Sequence, residues 1–225
     1  MCFLVVGLVP RPECRCGYAR KDVGTNRGLR DPSPRNDGVS GRFDIEGTPL
    51  EGLSVVRRRR MGDERGWLER LFCSDELEAA GWIWPVAQLN RTLTAKRGTV
   101  RGMHLQHPPH EEAKLVTCLR GEVFDVAVDL RAGSPSYGHW FGERLSNDNA
   151  SSLLIPPGFA HGFQTLTDDV EMLYVHSAAY APEAEGGVRA DDPALRIDWP
   201  LEIVGRSERD ANFPNLKSFQ EGSKT

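Results

Sequence analysis

No run of the 225-residue chain approaches the roughly 20 consecutive apolar residues needed to span a bilayer. The nearest, CFLVVGLVP at the start, has the length of a signal-peptide core. It has no positive charge before it and no small-residue cleavage site after it. A strong charge of one sign is also lacking. The net charge is −4, which gives no bulk field to recruit nucleic acid or an anionic membrane. RRRR at 57–60 is the sole basic run and reads as solvated surface. Cysteine is sparse: five residues, an odd number without framework spacing. That pattern argues for reduced thiols and a cytoplasmic protein. Cys14-x-Cys16 offers a metal only two ligands, a poor site.

The remaining texture divides the chain. Residues 17–43 are rich in Gly, Arg, Asp, Asn and Ser and carry few periodic apolar residues. Such a segment buries too little surface to offset its ordering entropy, so 1–43 is expected to be a disordered extension. One domain is expected over 44–215, its core ending near 205, followed by a polar tail over 216–225. CSDELEAAG at 73–81 is the one clear helix signal, with Ser74 as cap, Asp75 and Glu76 in the first turn and Gly81 at the end. Strand signals dominate elsewhere. In GEVFDVAVDLR (121–131), Phe124, Val126, Val128 and Leu130 alternate with Val123, Asp125, Ala127 and Asp129, which is a period of two. KLVTCLR lies just before it, and HWFGERL, SSLLIPPG, GFQTL and VEMLYVHSA follow at intervals near ten residues. Many short, evenly spaced strands predict an all-β fold, most simply a jelly-roll barrel with a few short helices.

The densest chemistry lies in RGMHLQHPPHEEAKLV (101–116), which holds His104, His107 and His110. Three readings are open. Metal-binding cupin jelly rolls use a His-x-His motif and a Pro-x-Gly-x-x-His motif. The second is present as PPGFAH (156–161), but the histidines of the first are spaced by three. On a strand, ligands must differ by an even number to share a face. Alternatively these are rim residues, which suits His107 and His110 beside prolines that end a strand. Third, His104 has Arg101 before it and Lys114 on the next strand. A histidine, an arginine and a lysine converging in an apolar barrel suit an anionic intermediate.

The motifs GDERGWL, QLNRTLT, RGTVRGMHLQ, AKLVTCLRGEVFDVAVDLRAGSPSYGHW, IPPGFAHGF, YAPEAEGGV, DDPALRIDWP and SERDANFP occur in order through most of 61–214. In this the chain resembles the dTDP-4-dehydrorhamnose 3,5-epimerase family of the cupin superfamily. The resemblance implies a homodimeric jelly roll without metal or other cofactor, acting on dTDP-4-dehydro-6-deoxy-D-glucose. Inverting a carbon beside a ketone requires a base, a positive group at the enolate oxygen and an acid on the opposite face. By resemblance His104 is the base and Asp210 orients it. Lys114 sits at the oxygen, and Tyr174 returns a proton. Histidine suits the base role because its unperturbed pKa of about 6.5 lies near working pH.

The resemblance also implies substrate contacts from Arg65, Arg101, Gln88 and Asn90, the arginines suiting phosphate or sugar. Asp125 would support the base or the lysine. His161 is either a direct contact or a buried structural histidine. Three positions depart from the family pattern: Met61 for an aromatic, Arg70 for a glutamate and Ala190 for a tryptophan. They leave open a relative that inverts only C3 or only C5. A metal-dependent or sugar-binding cupin is the alternative of another class.

Overall fold

The computed structural model describes residues 41–222. The expected extension, with Cys2, Cys14 and Cys16, lies outside the described residues up to residue 40. Phe43 already opens β1 (Phe43–Gly47), which pairs with β2 (Ser54–Arg58). A hairpin follows from β3 (Arg60–Asp63) and β4 (Gly66–Glu69). The long strands are β5 (Gln88–Thr94), β6 (Val100–Gln106), β7 (Lys114–Arg120), β8 (Glu122–Asp129) and β9 (Trp140–Ser146). β10 (Ser151–Ile155), β11 (Phe159–Thr165), β12 (Val170–His176) and β13 (Glu185–Gly187) complete the set.

Two antiparallel sheets result, one in the order β1-β2-β10-β7-β12-β5 and the other β13-β6-β11-β8-β9. Alternation along each strand sorts side chains between the space inside the two sheets and the layers outside them. Val55, Val116, Leu153 and Met172 of the first sheet meet Val123, Ala127 and Phe163 of the second in the interior cluster. Their neighbours Val56, Leu115, Leu154 and Val175 face outward, beneath Leu77 and Trp82. On the outer face of the second sheet, Met103, Leu105, Val126 and Val128 are covered by Val188, Ala190, Leu195 and Trp199. Each fully buried aliphatic side chain contributes about 1.5–3 kcal/mol. That is enough to hold the segment from 188 onward against the sheet although it has almost no regular structure.

Two expectations change. The helix at α1 (Ser74–Leu77) begins one residue early: Cys73 is its cap residue, and Ser74 bonds to Asp75 instead. Gly81 ends the following 3₁₀ turn in the left-handed conformation, as expected. The expected tail from 216 is a helix through residue 222, which follows α2 (Glu208–Ala211) and is α3 (Leu216–Gly222). Leu216 and Phe219, about one turn apart, pack on the outer cluster, and Phe219 stacks on His107. Among the described residues no helix is long and apolar enough to cross a membrane.

Asp129, fully buried at the end of β8, closes the turn into β9. It accepts from the backbone and guanidinium of Arg131 and from the Ser134 and Ser136 hydroxyls, at 2.6 to 3.0 Å. Burial opposes its ionisation, but these donors outweigh it and hold the carboxyl well below its usual range. Asp129→Asn should therefore cost about 2–3 kcal/mol at neutral pH, read as a lower urea midpoint. A depressed folded-state value gives stability that is present above the ordinary value of about 3.9 and lost as pH falls below it. The deficit should shrink in acid; equal midpoints at pH 7 would exclude the role.

Candidate active site

The two sheets leave one end of the barrel open as a cavity of about 270 Å3. Its walls come from opposite sheets. β6 and β11 supply Arg101, His104 and His161; β5, β7 and β12 supply Asn90, Thr92, Lys114, Tyr174 and His176. Regular alternation would put Arg101 and His104, three apart, on opposite faces. A register shift in the β6–β11 pairing, between His161↔His104 and Phe163↔Arg101, brings both inward. Gly102, at φ +130°, lies in this irregularity. A Cβ there would stand 2.5 Å from Gly162 Cα and 2.8 Å from the His161 carbonyl oxygen.

His104 Nε2 lies 2.9 Å from Asp210 Oδ1, and the other carboxylate oxygen accepts the Gly102 N–H at 3.1 Å. Asp210 sits on α2, whose first turn is capped by Ser207 accepting from the Asp210 N–H. Burial disfavours the Asp210 charge, yet the His104 and Gly102 hydrogen bonds outweigh it and depress its pKa strongly. An ionised Asp210 makes Nε2 the protonated nitrogen and leaves the Nδ1 lone pair able to accept a proton. Arg209, beside the pair, is held by Glu185 at 2.7 Å.

On the facing wall Lys114 is buried. Its Nζ pairs with Glu112 Oε1 at 3.0 Å and donates to the His104 carbonyl at 3.3 Å. Burial pushes the Tyr174 phenol far above its ordinary value of about 10. It therefore stays protonated, the form a proton donor needs. Its hydroxyl is 3.5 Å from Thr92 Oγ1. His161 Nε2 pairs with both oxygens of the buried Asp125, at 2.9 and 3.1 Å. Burial raises the Asp125 pKa, and His161 works against that rise. His161 is thus both buried and a wall residue.

The resemblance also reaches residues outside this cavity. Gln88 is one step removed, donating to Asn90 Oδ1 at 3.1 Å and accepting the Tyr180 N–H at 3.0 Å. Arg65 does not line the cavity. It sits at the tip of the β3–β4 hairpin, paired with Asp63 and 84% exposed. Met61 is exposed on the same hairpin, Arg70 pairs with Glu76, and Ala190 is buried in the covering layer. None of these three lines the cavity of its own chain. Among the described residues, no three His, Cys, Asp or Glu side chains gather as a metal-ligating group.

Sequence reasoning passed over Glu112, His176, Tyr180, Glu185 and Arg209 in these walls. Two had a readable signal: Glu112 and Lys114, like Tyr174 and His176, are two apart and so share a face of an extended chain. The others reach the site from a loop (Tyr180), the three-residue strand β13 (Glu185) and the α2 turn (Arg209), all too short for a strand period to report.

The sequence matches the profile of the dTDP-4-dehydrorhamnose 3,5-epimerase family over residues 47–218. The chain belongs to this family. It is 42% identical to the dTDP-4-dehydrorhamnose 3,5-epimerase of Sinorhizobium fredii over 165 residues, 73% of this chain and 85% of that one. It is 40% identical to a dTDP-4-dehydrorhamnose 3-epimerase of Streptomyces niveus over 162 residues, 72% and 78% of the two chains. The fold matches the crystal structure of the Legionella pneumophila dTDP-6-deoxy-D-glucose-3,5-epimerase in complex with dTDP-4-keto-L-rhamnose, with a TM-score of 0.74. That match has 39% identity and covers 78% of this chain and 93% of the other. In this epimerase-family chain the close approach of Gly102 to Gly162 holds the His104–Asp210 pair in place. Gly102→Ala should lower the melting temperature by several degrees, the effect of more than about 1 kcal/mol at a strained glycine. An unchanged transition would show that the strands separate freely there.

Proposed function

We propose that the chain epimerises C3 and C5 of dTDP-4-dehydro-6-deoxy-D-glucose, giving dTDP-4-dehydro-L-rhamnose through enolates. One observation carries this reading: His104, backed by Asp210 of α2, stands on one sheet, with Lys114 and Tyr174 on the other, across a single cavity. A carbon acid beside a ketone is inverted when the proton leaves one face and a proton arrives on the other. His104 Nδ1 takes the proton, and the C–H electron pair moves into the C4 oxygen. The Lys114 ammonium stabilises that oxygen, and the Tyr174 hydroxyl delivers a proton to the opposite face. The cavity volume lies just below the usual range of about 300–1,000 Å3 for drug-sized ligands. It suits a sugar ring, with the nucleotide extending outward past Asn90 and Gln88 and Arg101 beside the sugar or pyrophosphate.

The test is solvent exchange in deuterated water, with label located by NMR. Label at C3 and C5 supports the double epimerase. Label at one carbon would instead place the chain with the 3-epimerase relatives, and none would overturn the reading. His104→Ala should lower exchange by about 10²–10⁴-fold while nucleotide-sugar binding is kept. Lys114→Met should fail mainly in kcat, because its charge is needed most at the enolate; a loss confined to KM would make it a binding residue.

We further propose a homodimer in the cytoplasm. The thiols of Cys73 and Cys118 are unpaired, as in a reducing compartment. Met61, Trp67 and Leu68 on the β3–β4 hairpin, and Leu89 and Leu93 on the edge strand β5, are all more than half exposed or nearly so, surfaces that a second copy would cover. Arg65, outside its own cavity, would then serve the partner's. Mixing inactive Arg65→Ala chains with inactive His104→Ala chains should restore activity, because each hybrid dimer contains one intact site. No restoration would return Arg65 to its own chain's site or remove it from binding.

A further inference from the structure

Glu112 is an unusual carboxylate for the rim of a sugar pocket. Its side chain is 8% exposed, and its two oxygens are divided between two residues of the cavity wall. Oε1 meets Lys114 Nζ at 3.0 Å and Oε2 meets His176 Nδ1 at 2.8 Å. Burial opposes the charge on Glu112, yet the His176 hydrogen bond and the Lys114 charge outweigh it and hold the carboxyl below its ordinary range. The His176 ring is stacked on Tyr174, with 6.0 Å between centroids and 22° between planes. Its far nitrogen, Nε2, is 3.4 Å from Asn90 Nδ2. Asn90 Oδ1 accepts from Gln88 Nε2 at 3.1 Å.

These contacts have one consistent polarity. Gln88 donates to the Asn90 oxygen, so the Asn90 nitrogen is the atom turned toward His176, and Nε2 accepts. Nδ1 must then carry the proton and donate to the carboxylate. On the other side, two of the three Lys114 N–H bonds go to Glu112 and to the His104 carbonyl, which leaves one for a ligand oxygen. The charged and titratable groups around His176 are therefore Glu112 before β7, Lys114 on β7 and Tyr174 on β12, with the neutral Asn90 on β5. We infer that Glu112 and His176 are positioning residues, forming one hydrogen-bonded chain that aligns the Lys114 ammonium for the enolate and orients the Asn90 amide for substrate. A carboxylate needed only to neutralise Lys114 would not require a histidine on its second oxygen. A histidine needed only for packing on Tyr174 would not require ring nitrogens matched to a carboxylate and an amide.

This deepens the epimerase reading and rests on it, so the test separates the two. In steady-state epimerisation, Glu112→Ala should lower kcat by about 10–100-fold, the scale of a misplaced catalytic group. His176→Leu breaks the chain at both ends and should lower kcat and raise KM together. His176→Asn places an amide N–H where Nδ1–H stood. It should recover most of the kcat lost in His176→Leu, while KM stays raised because Asn90 has lost its acceptor. The double variant Glu112→Ala/His176→Leu should lose no more kcat than Glu112→Ala alone, since both act through one carboxylate. Equal kcat in the folded His176→Asn and His176→Leu proteins, or additive losses in the double variant, would overturn the inference.

Imidazole nitrogen NMR tests the same pair without turnover. His176 should be protonated at Nδ1 in the parent chain, and its Nδ1–H signal should shift in Glu112→Ala as the carboxylate acceptor is lost. A parent ring protonated at Nε2, or an Nδ1–H signal unmoved in Glu112→Ala, would overturn the inference. A parent chain that exchanges no solvent hydrogen would overturn the epimerase reading, with the pair then judged on the nitrogen spectra alone.

Discussion

The approach of two glycines, Gly102 on β6 and Gly162 on β11, is the constraint on which the site depends. With a Cβ on either residue the strands could not come this close, since the nearest backbone atoms would stand 2.5 to 2.7 Å away. The shift in pairing that accompanies this approach turns both Arg101 and His104 into the cavity. Within the same irregularity the Gly102 N–H donates to Asp210. One local departure from regular pairing therefore aims two side chains and supplies a donor that fixes the carboxylate behind one of them.

Asp210 itself arrives from far along the chain. It is carried by a four-residue helix at the end of a segment with almost no secondary structure, and that segment is held by apolar burial on the outer face of the second sheet. The packing of Val188, Leu195 and Trp199 thus reaches into the cavity, because it brings a carboxylate to the His104 ring. The same carboxylate is costly to bury alone. The His104, Gly102 and Ser207 contacts that offset the cost are also those that set the histidine tautomer. Stability and function share these hydrogen bonds.

The two walls divide the chemistry by environment. On the β6 side an ionised Asp210 holds a proton on His104 Nε2 and leaves Nδ1 unprotonated. On the β12 side burial keeps the Tyr174 phenol protonated. An unprotonated ring nitrogen faces a protonated phenol across one cavity, the arrangement on which the proposed stepwise inversion of carbon draws. Lys114 stands between them, tied to both walls through the His104 carbonyl and the buried Glu112.

Much of this was legible in the amino-acid order. The period of two in 121–131 and the evenly spaced apolar runs after it specify strands, and the KLVTCLR run is β7 residue for residue. The ordered motifs carry family membership, and with it the roles proposed for His104, Lys114, Tyr174 and Asp210. Even Glu112 and His176 were marked by spacing, each two residues from a residue of interest. What the order of residues could not express was distance through space. The strand period places Arg101 and His104 on opposite faces, and only the pairing of β6 with β11 reverses that. Arg65 lies in the GDERGWL motif but stands outside its own cavity, and nothing local reports where a hairpin tip lies. The C-terminal residues read as a polar tail, because Leu216 and Phe219 become a packed face only once the outer cluster exists. Local pattern determined the strands and the reactive residue types. Long-range packing decided which of them meet, because a contact across 106 residues of chain, such as His104 with Asp210, exists only when the layers between them are assembled.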